Sequence, residues 1–534
     1  MKESEHGVVY TKRWVVETIL DMVGYRSGTG LVQKKIVEPS CGCGAFLTVI
    51  AERLADEVAA TGDWDRICTS VLGLDIDAEA LERCEAEVAR TLAARGCPEE
   101  EAREIARGWL RRADFLLDPM PECDFVVGNP PYVRATEIDR EKRALYCSAL
   151  PSMTSGCDLY VGFFDRGLDI LRPEGRLGFV CADRWLQNAY GRKLRRRVGS
   201  SCNLEALVRM HGVDAFEDDV DAYPAITLIR KEAAHGPIRF INCVSDFAKV
   251  DAERDTRAVL DWLADPSGNM KGERFEAFEI TRPEGDDVYP LGSSELVEFV
   301  TKARAALPDP EEAGIRLGIG VATGCDEIFL TDDEHLVEPE RMLPLFFMRD
   351  YRRGRLNRER WLVNPWTTDG RLVELEHYPK LKAYLEAHRE RLGMRHVAKK
   401  NPAAWYRTID KLTPGLVERD LLFMPDMAAE PDPVLSRGKY PHHNTYWIAS
   451  DTWDLRVLGG FLMADTTRRF IDALGVKMRG GTLRFQAQYL RLLRLPRYES
   501  LDETVRDGLR RAFDEKNRDA ATYFAEMAYE EVLR

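Results

Sequence analysis

Residues 35–38 of this 534-residue chain, Lys-Ile-Val-Glu, read as a short strand that ends in Glu38 and breaks at once into Pro39-Ser40-Cys41-Gly42-Cys43-Gly44. An apolar helical pattern over 46–54 follows. Strand, glycine turn and helix in that order make the first half of a βαβ unit, and the pattern recurs downstream. Residues 71–75 read as a second strand, with a helix over 78–92. A helical insert covers 98–111. Further strands are expected at 113–117, 123–128, 176–181, 204–210 and 225–230, with a helix over 159–171. This alternation predicts an α/β domain built on a parallel sheet across residues 1–245. Between 246 and 310 the pattern weakens into turn-rich and proline-containing stretches, read as a connecting region. Residues 311–534 are rich in Arg, aromatic residues and Pro, and are read as a separate domain. A chain of this length is too long for one ordinary core, which agrees with that division.

The composition, 45% hydrophobic and 31% charged, belongs to a globular chain. No run of about 18 apolar residues is present, so no membrane span is expected. The first 16 residues carry mixed charge without the apolar core of a secretory signal, so the expected location is the cytoplasm. Twelve cysteines are scattered without a CxxC pair. They are read as free thiols rather than metal ligands, and no metal site is expected. The net charge of −14 conceals a split. Residues 341–500 hold 29 Lys and Arg against 18 Asp and Glu, whereas the remainder holds 47 against 72. A basic C-terminal portion of this kind can present a phosphate-binding surface, or be a solvated face.

The glycine turn after the first strand lets a ligand approach the backbone closely. It matches neither phosphate-binding pattern, Gly-x-x-x-x-Gly-Lys nor Gly-x-Gly-x-x-Gly. The second strand ends in Asp75-Ile76-Asp77, where an acid is placed to accept ribose hydroxyls. Asp114-Phe115 offers an acid and a ring together, which suits an adenine moiety. Asn129-Pro130-Pro131-Tyr132 follows the fourth strand. Its two prolines force a rigid extended turn and leave carbonyls free. The Asn129 amide oxygen and a neighbouring carbonyl can accept both hydrogens of a planar amine while Tyr132 stacks on the ring. The nitrogen lone pair is then directed outward, and no strong base is required.

These segments resemble, over most of the chain, the gamma-order N6-adenine DNA methyltransferases of type II and type IIG restriction–modification systems. The resemblance implies a Rossmann-like S-adenosylmethionine-dependent methyltransferase domain followed by a C-terminal α+β target-recognition domain. It implies cofactor contacts from Tyr10 and Thr11, from Glu38, Pro39, Cys41, Gly42 and Gly44, from Asp75 and Ile76, and from Asp114, Phe115, Asn129 and Phe163. Lys12 stands where this family usually has Pro. Catalysis falls to Asn129, Pro130, Pro131 and Tyr132. A second aromatic, Phe216 or alternatively Tyr223, packs against the flipped base.

Segments beginning at Gly318, Arg395, Trp405 and Arg479 resemble parts of the target-recognition domains. The cluster Arg192–Arg197 either touches DNA or coats a helix. The implied partner is double-stranded DNA, and a separate nuclease or defence subunit is compatible with it. The chain begins almost at the cofactor motif, so no cleavage domain is expected ahead of it. Protein-glutamine and RNA amino-group methyltransferases share Asn-Pro-Pro-Tyr but usually lack a large basic domain after it. A non-catalytic DNA-binding component would be expected to have lost Asn129 or the glycine turn.

Overall fold

The computed structural model describes residues 11–217, 223–352, 359–475 and 483–533. The chain divides into two compact units, with the boundary between Glu298 and Phe299. Among the described residues no helix is long and apolar enough to cross a membrane.

The first unit is organised by a sheet with ten strands among the described residues. These are β1 (Ile36–Glu38), β2 (Val71–Asp75), β3 (Leu110–Arg112), β4 (Cys123–Gly128), β5 (Leu171–Ala182), β6 (Asn203–Arg209), β7 (Pro224–Arg230), β8 (Ile238–Cys243), β9 (Met270–Lys271) and β10 (Phe275–Ile280). Their order is β3-β2-β1-β4-β5-β7-β6-β8-β10-β9. The five strands from β3 to β5 are parallel, as expected. Beyond them β7 runs antiparallel to both its neighbours, β5 and β6, so the sheet is mixed. Strand order reverses at β1, which lies between β2 and β4. In open α/β sheets ligands bind outside the carboxyl ends of the strands at such a switch point.

Alternation along the strands explains how the sheet is covered on both sides. Ile36, Val127 and Val208 belong to one apolar cluster, while their chain neighbours Val37, Val126 and Leu207 belong to the other. Helices α1 (Arg13–Val23), α2 (Ala45–Val58), α3 (Ala78–Ala94) and α4 (Glu99–Trp109) feed the first cluster. In α2 Phe46, Leu47, Ile50, Ala51, Leu54, Ala55 and Val58 form one buried stripe at helical spacing, and Val49 is buried beside it. Helices α5 (Arg140–Ala149), α6 (Tyr160–Ile170) and α7 (Arg192–Ser201) supply the second cluster.

Two expectations need correction. The third strand is Leu110–Arg112, not 113–117. A side-chain oxygen of Asp114 accepts from the Leu116 amide at 3.1 Å, which holds this segment in a turn rather than a ladder. Phe115 and Leu116 are nonetheless buried, and their apolar character mimics a strand in the sequence. Residues 246–298 are not a connector. They contain α8 (Ala252–Ala264), and β10 extends the sheet by pairing antiparallel with β8. The flanking turns obscure β10, a six-residue strand, in the sequence pattern.

The second unit is α+β. Ile315–Ile319, Thr445–Ser450, Leu421–Pro425 and Val434–Ser436 make one antiparallel sheet. A second sheet joins Leu330–Thr331, Trp361–Val363, Met342–Phe346 and Tyr440–Pro441. Helices Leu455–Met463, Asp465–Leu474, Glu503–Asp514 and Arg518–Leu533 pack together near the C-terminus.

Candidate active site

The turn after β1, the end of β2, the loop after β3 and the loop after β4 converge on one cleft at the strands' carboxyl ends. Thr11, Glu38, Pro39, Cys41, Gly42, Asp75, Ile76, Asp114, Phe115, Asn129, Pro130, Pro131, Tyr132 and Phe163 all line it. Tyr10 lies outside the described residues. Gly44 is set back from the cleft wall. It caps α2 in a left-handed conformation with φ of 94°, where a Cβ would come within 2.9 Å of Cys84 Sγ.

The turn is tied down by Asp75. One carboxylate oxygen accepts from the Gly42 amide at 2.9 Å, and the other accepts from the Asp77 amide at 2.9 Å. Each oxygen retains a further lone pair for a ligand hydroxyl. Glu38 is 2% exposed. Burial pushes its carboxyl well above the usual range, and the proximity of Cys84 and Asp75 adds to this. Its Oε2 has no hydrogen-bond partner among the described residues. A buried carboxyl with an unused oxygen in the wall of a cleft suits an incoming ammonium group.

Across the cleft Phe115 and Phe163 stack with centroids 5.5 Å apart, and Ile76 is 48% exposed at the rim. Together they offer an apolar slot for a flat ring. Asp114 is held from a direction the sequence did not suggest. Tyr146 OH donates to its Oδ2 at 2.8 Å and Lys142 Nζ lies 3.3 Å away, both from α5. No motif marks these two residues, because they reach Asp114 across about 30 positions of chain.

The Asn129 loop closes the other end. Asn129 Nδ2 donates to Thr11 Oγ1 at 3.1 Å, and its backbone carbonyl accepts from Ser40 Oγ at 3.2 Å. The amide is thus anchored through its nitrogen, which orients its oxygen as the acceptor. Tyr132 is half-buried with an enclosed hydroxyl that has no partner among the described residues, and burial pushes that phenol well above its usual value. Phe216 meets Tyr132 edge-on with centroids 6.1 Å apart. An isolated bridge between Thr11 and Phe216, and a 3.1 Å bond from Lys12 N to Ala215 O, pin that loop to the start of α1. Tyr223 packs instead on His211 at 4.8 Å, beneath the Arg184 guanidinium.

Several cationic residues that the sequence offered as candidates for contact with DNA are engaged within their own units. Arg195 donates to the carbonyls of Trp185, Asn188 and Asp286. Arg196 pairs with Asp286, and Arg197 pairs with Asp165 and Asp169. In the second unit Arg395 donates to the carbonyls of Thr323, Trp405 and Arg407, and Arg484 pairs with Asp426. Lys399 and Lys400 are exposed at the end of helix His396–Lys400.

Residues 109–216 match the family described as Eco57I restriction-modification methylase. The chain is 39% identical to the type II methyltransferase M.XhoI of Xanthomonas vasicola over 528 residues, which is 97% of this chain and 96% of that protein. It is 39% identical to the type II methyltransferase M.PaeR7I of Pseudomonas aeruginosa over 516 residues, 95% of this chain and 88% of that protein. Among solved structures, the type IIL restriction–modification enzyme MmeI in complex with DNA superposes with a TM-score of 0.55 at 12% identity, covering 97% of this chain and 72% of that one. This last likeness bears on the fold alone.

Proposed function

The chain belongs to the type II methyltransferases of restriction–modification systems, and from that premise we propose that it methylates the N6 amino group of adenine in double-stranded DNA with S-adenosylmethionine. The observation that carries this reading is the convergence of Asn129–Tyr132 on the same cleft as Glu38, Asp75 and Asp114.

The donor set fits S-adenosylmethionine part by part. The unused Glu38 oxygen faces its ammonium group, Asp75 accepts its ribose hydroxyls, and Asp114 with Ile76, Phe115 and Phe163 receives its adenine. When bound, it supplies an electrophilic sulfonium methyl. The target adenine leaves the duplex stack to reach that position, because its amino group is otherwise paired. Asn129 Oδ1 and the Pro130 carbonyl accept the two amino hydrogens, and they stabilise the positive charge that develops on nitrogen. The Thr11 hydroxyl keeps the amide of Asn129 from rotating. Tyr132 takes one face of the base, and Phe216 braces Tyr132 from its edge. The second unit, with Lys399 and Lys400, supplies contacts to DNA. In a restriction–modification system the matching partner is a nuclease of the same sequence specificity.

Single-turnover methyl transfer offered to DNA, RNA and protein in parallel, with mass analysis of the digested products, tests the proposal. N6-methyladenine in DNA is the expected product. Asn129→Ala is expected to lower the rate by about two to three orders of magnitude or more while leaving cofactor affinity nearly unchanged. Tyr132→Ala is expected to weaken capture of the base by about 1–3 kcal/mol. Methyl recovered on cytosine, RNA or glutamine, or a fully active Asn129→Ala protein, would overturn the assignment.

A further inference from the structure

Far from the cleft in sequence, the second unit brings together Asp326, His442 and His443. His442 Nε2 lies 3.2 Å from Asp326 Oδ2 and 3.0 Å from His443 Nδ1. One ligand atom from each of the three residues lies within 4.8 Å of the others. An imidazole nitrogen carries either a proton or a lone pair. A proton on His442 Nε2 that serves Asp326 therefore leaves this nitrogen no lone pair for His443, although the two stand at contact distance. A shared cation satisfies all three atoms at once. With metal–nitrogen bonds of about 2.0–2.1 Å in tetrahedral geometry, ligand atoms stand roughly 3.3 Å apart, close to the 3.2 and 3.0 Å that separate His442 Nε2 from Asp326 and His443.

From this geometry we propose that Asp326, His442 and His443 bind one transition-metal ion of the zinc class. Two imidazoles and one carboxylate select such an ion over magnesium or calcium, which prefer oxygen-only ligands.

The surroundings hold the ligands in place before any ion arrives. The hydroxyl of Thr323, itself fully buried, donates to Asp326 Oδ1 and leaves Oδ2 turned to the histidines. A hydrogen bond of this kind orients a ligating carboxylate. The Phe347 ring stacks on His442 with centroids 4.6 Å apart. Backbone bonds from Val321 N to Pro441 O and His443 N to Val321 O clamp the segments of Asp326 and the histidines together, and His442 N is held to Phe346 O of a third strand. Gly320 permits this approach, since a Cβ there would lie 2.3 Å from the carbonyl oxygens of Pro441 and His442. Arg349 is the nearby cation that opposes the ion, and the Asp326 carboxylate offsets it. His442 is 5% exposed whereas the Asp326 side chain is 46% exposed, so the fourth coordination position faces water. The ion would fasten residues 320–326 to residues 440–445 within this unit.

The test uses the full chain, stripped with a chelator and titrated with zinc by calorimetry, and with cobalt by visible absorption. One ion per chain is expected, with a rise in Tm that chelator reverses. Asp326→Asn and His443→Gln both alter side chains at or near the surface, and each is expected to weaken zinc at least tenfold. His335→Gln, an exposed histidine elsewhere in the unit, is expected to leave it unchanged. No uptake at micromolar zinc, or the same affinity and Tm response in both site variants, overturns the proposal. The outcome does not depend on what the cleft of the first unit methylates.

Discussion

Glu38, proposed above to receive the cofactor's ammonium group, shows most clearly how such a buried carboxyl costs stability. It ends β1, a strand whose three residues are all buried, and its carboxyl is pushed well above the usual 4.5 chiefly by that burial. Above the unfolded-state value the unfolded chain has already lost this proton while the folded chain retains it. Fewer protons are bound in the unfolded state, so stability falls as pH rises through that window. Glu38→Gln removes the titration. Its Tm advantage over wild type in the ligand-free protein is expected to be absent near pH 4 and to grow as pH rises above about 4.5. The same substitution is expected to weaken S-adenosylmethionine, because the charge-assisted acceptor for its ammonium is removed. Scanning calorimetry across pH, paired with binding titrations, checks both halves. A variant that binds as tightly as wild type would remove Glu38 from the cofactor's neighbourhood.

At the scale of the element, α7 carries the densest basic run of the first unit, and the structure turns much of it inward. Asp165 of α6 is fully buried, accepts from Ser152 N and Ser152 Oγ, and is paired with Arg197. Arg197→Ala leaves that carboxylate without its cation, and a loss of about 3–5 kcal/mol is expected in urea unfolding. DNA affinity of the folded variant should stay as it was. If instead stability is retained and DNA binding drops, the helix serves the nucleic acid rather than the core. Helix α5 acts the other way, reaching across to the cleft through Lys142 and Tyr146. Tyr146→Phe removes one donor from Asp114, so a few-fold weaker cofactor affinity is expected, read by calorimetry on a protein of unchanged fold.

For the whole molecule, the charge split predicts how DNA binding responds to salt. The excess of cations in 341–500 includes Lys399 and Lys400, which are exposed, whereas Arg395 and Arg484 are committed to internal bonds. Replacing both lysines by alanine is expected to weaken specific and scrambled duplexes alike. It should also flatten the slope of log K against log salt by about 0.9 for each phosphate that is no longer neutralised. Fluorescence anisotropy at several salt concentrations measures this. An unchanged slope would move the phosphate-binding cations elsewhere.

Sequence alone determined the glycine turn after β1, the acid after β2, the Asn129–Tyr132 loop and the α/β alternation that carries them. Each is written in neighbouring residues, at a strand end where local geometry and chemistry coincide. Glu38 to Gly44 could be read as a ligand turn because strand, glycines and helix follow one another without interruption. What only the tertiary structure decided is pairing across distance. It chose Phe216 over Tyr223 as the ring beside Tyr132, and set Lys142 and Tyr146 on Asp114. It also turned Arg195 and Arg197 of α7 inward, added 246–298 to the first unit, and brought Asp326 to His442 and His443. These pairings depend on how the sheets order their strands, and no local pattern in the chain records which distant segment a side chain will meet.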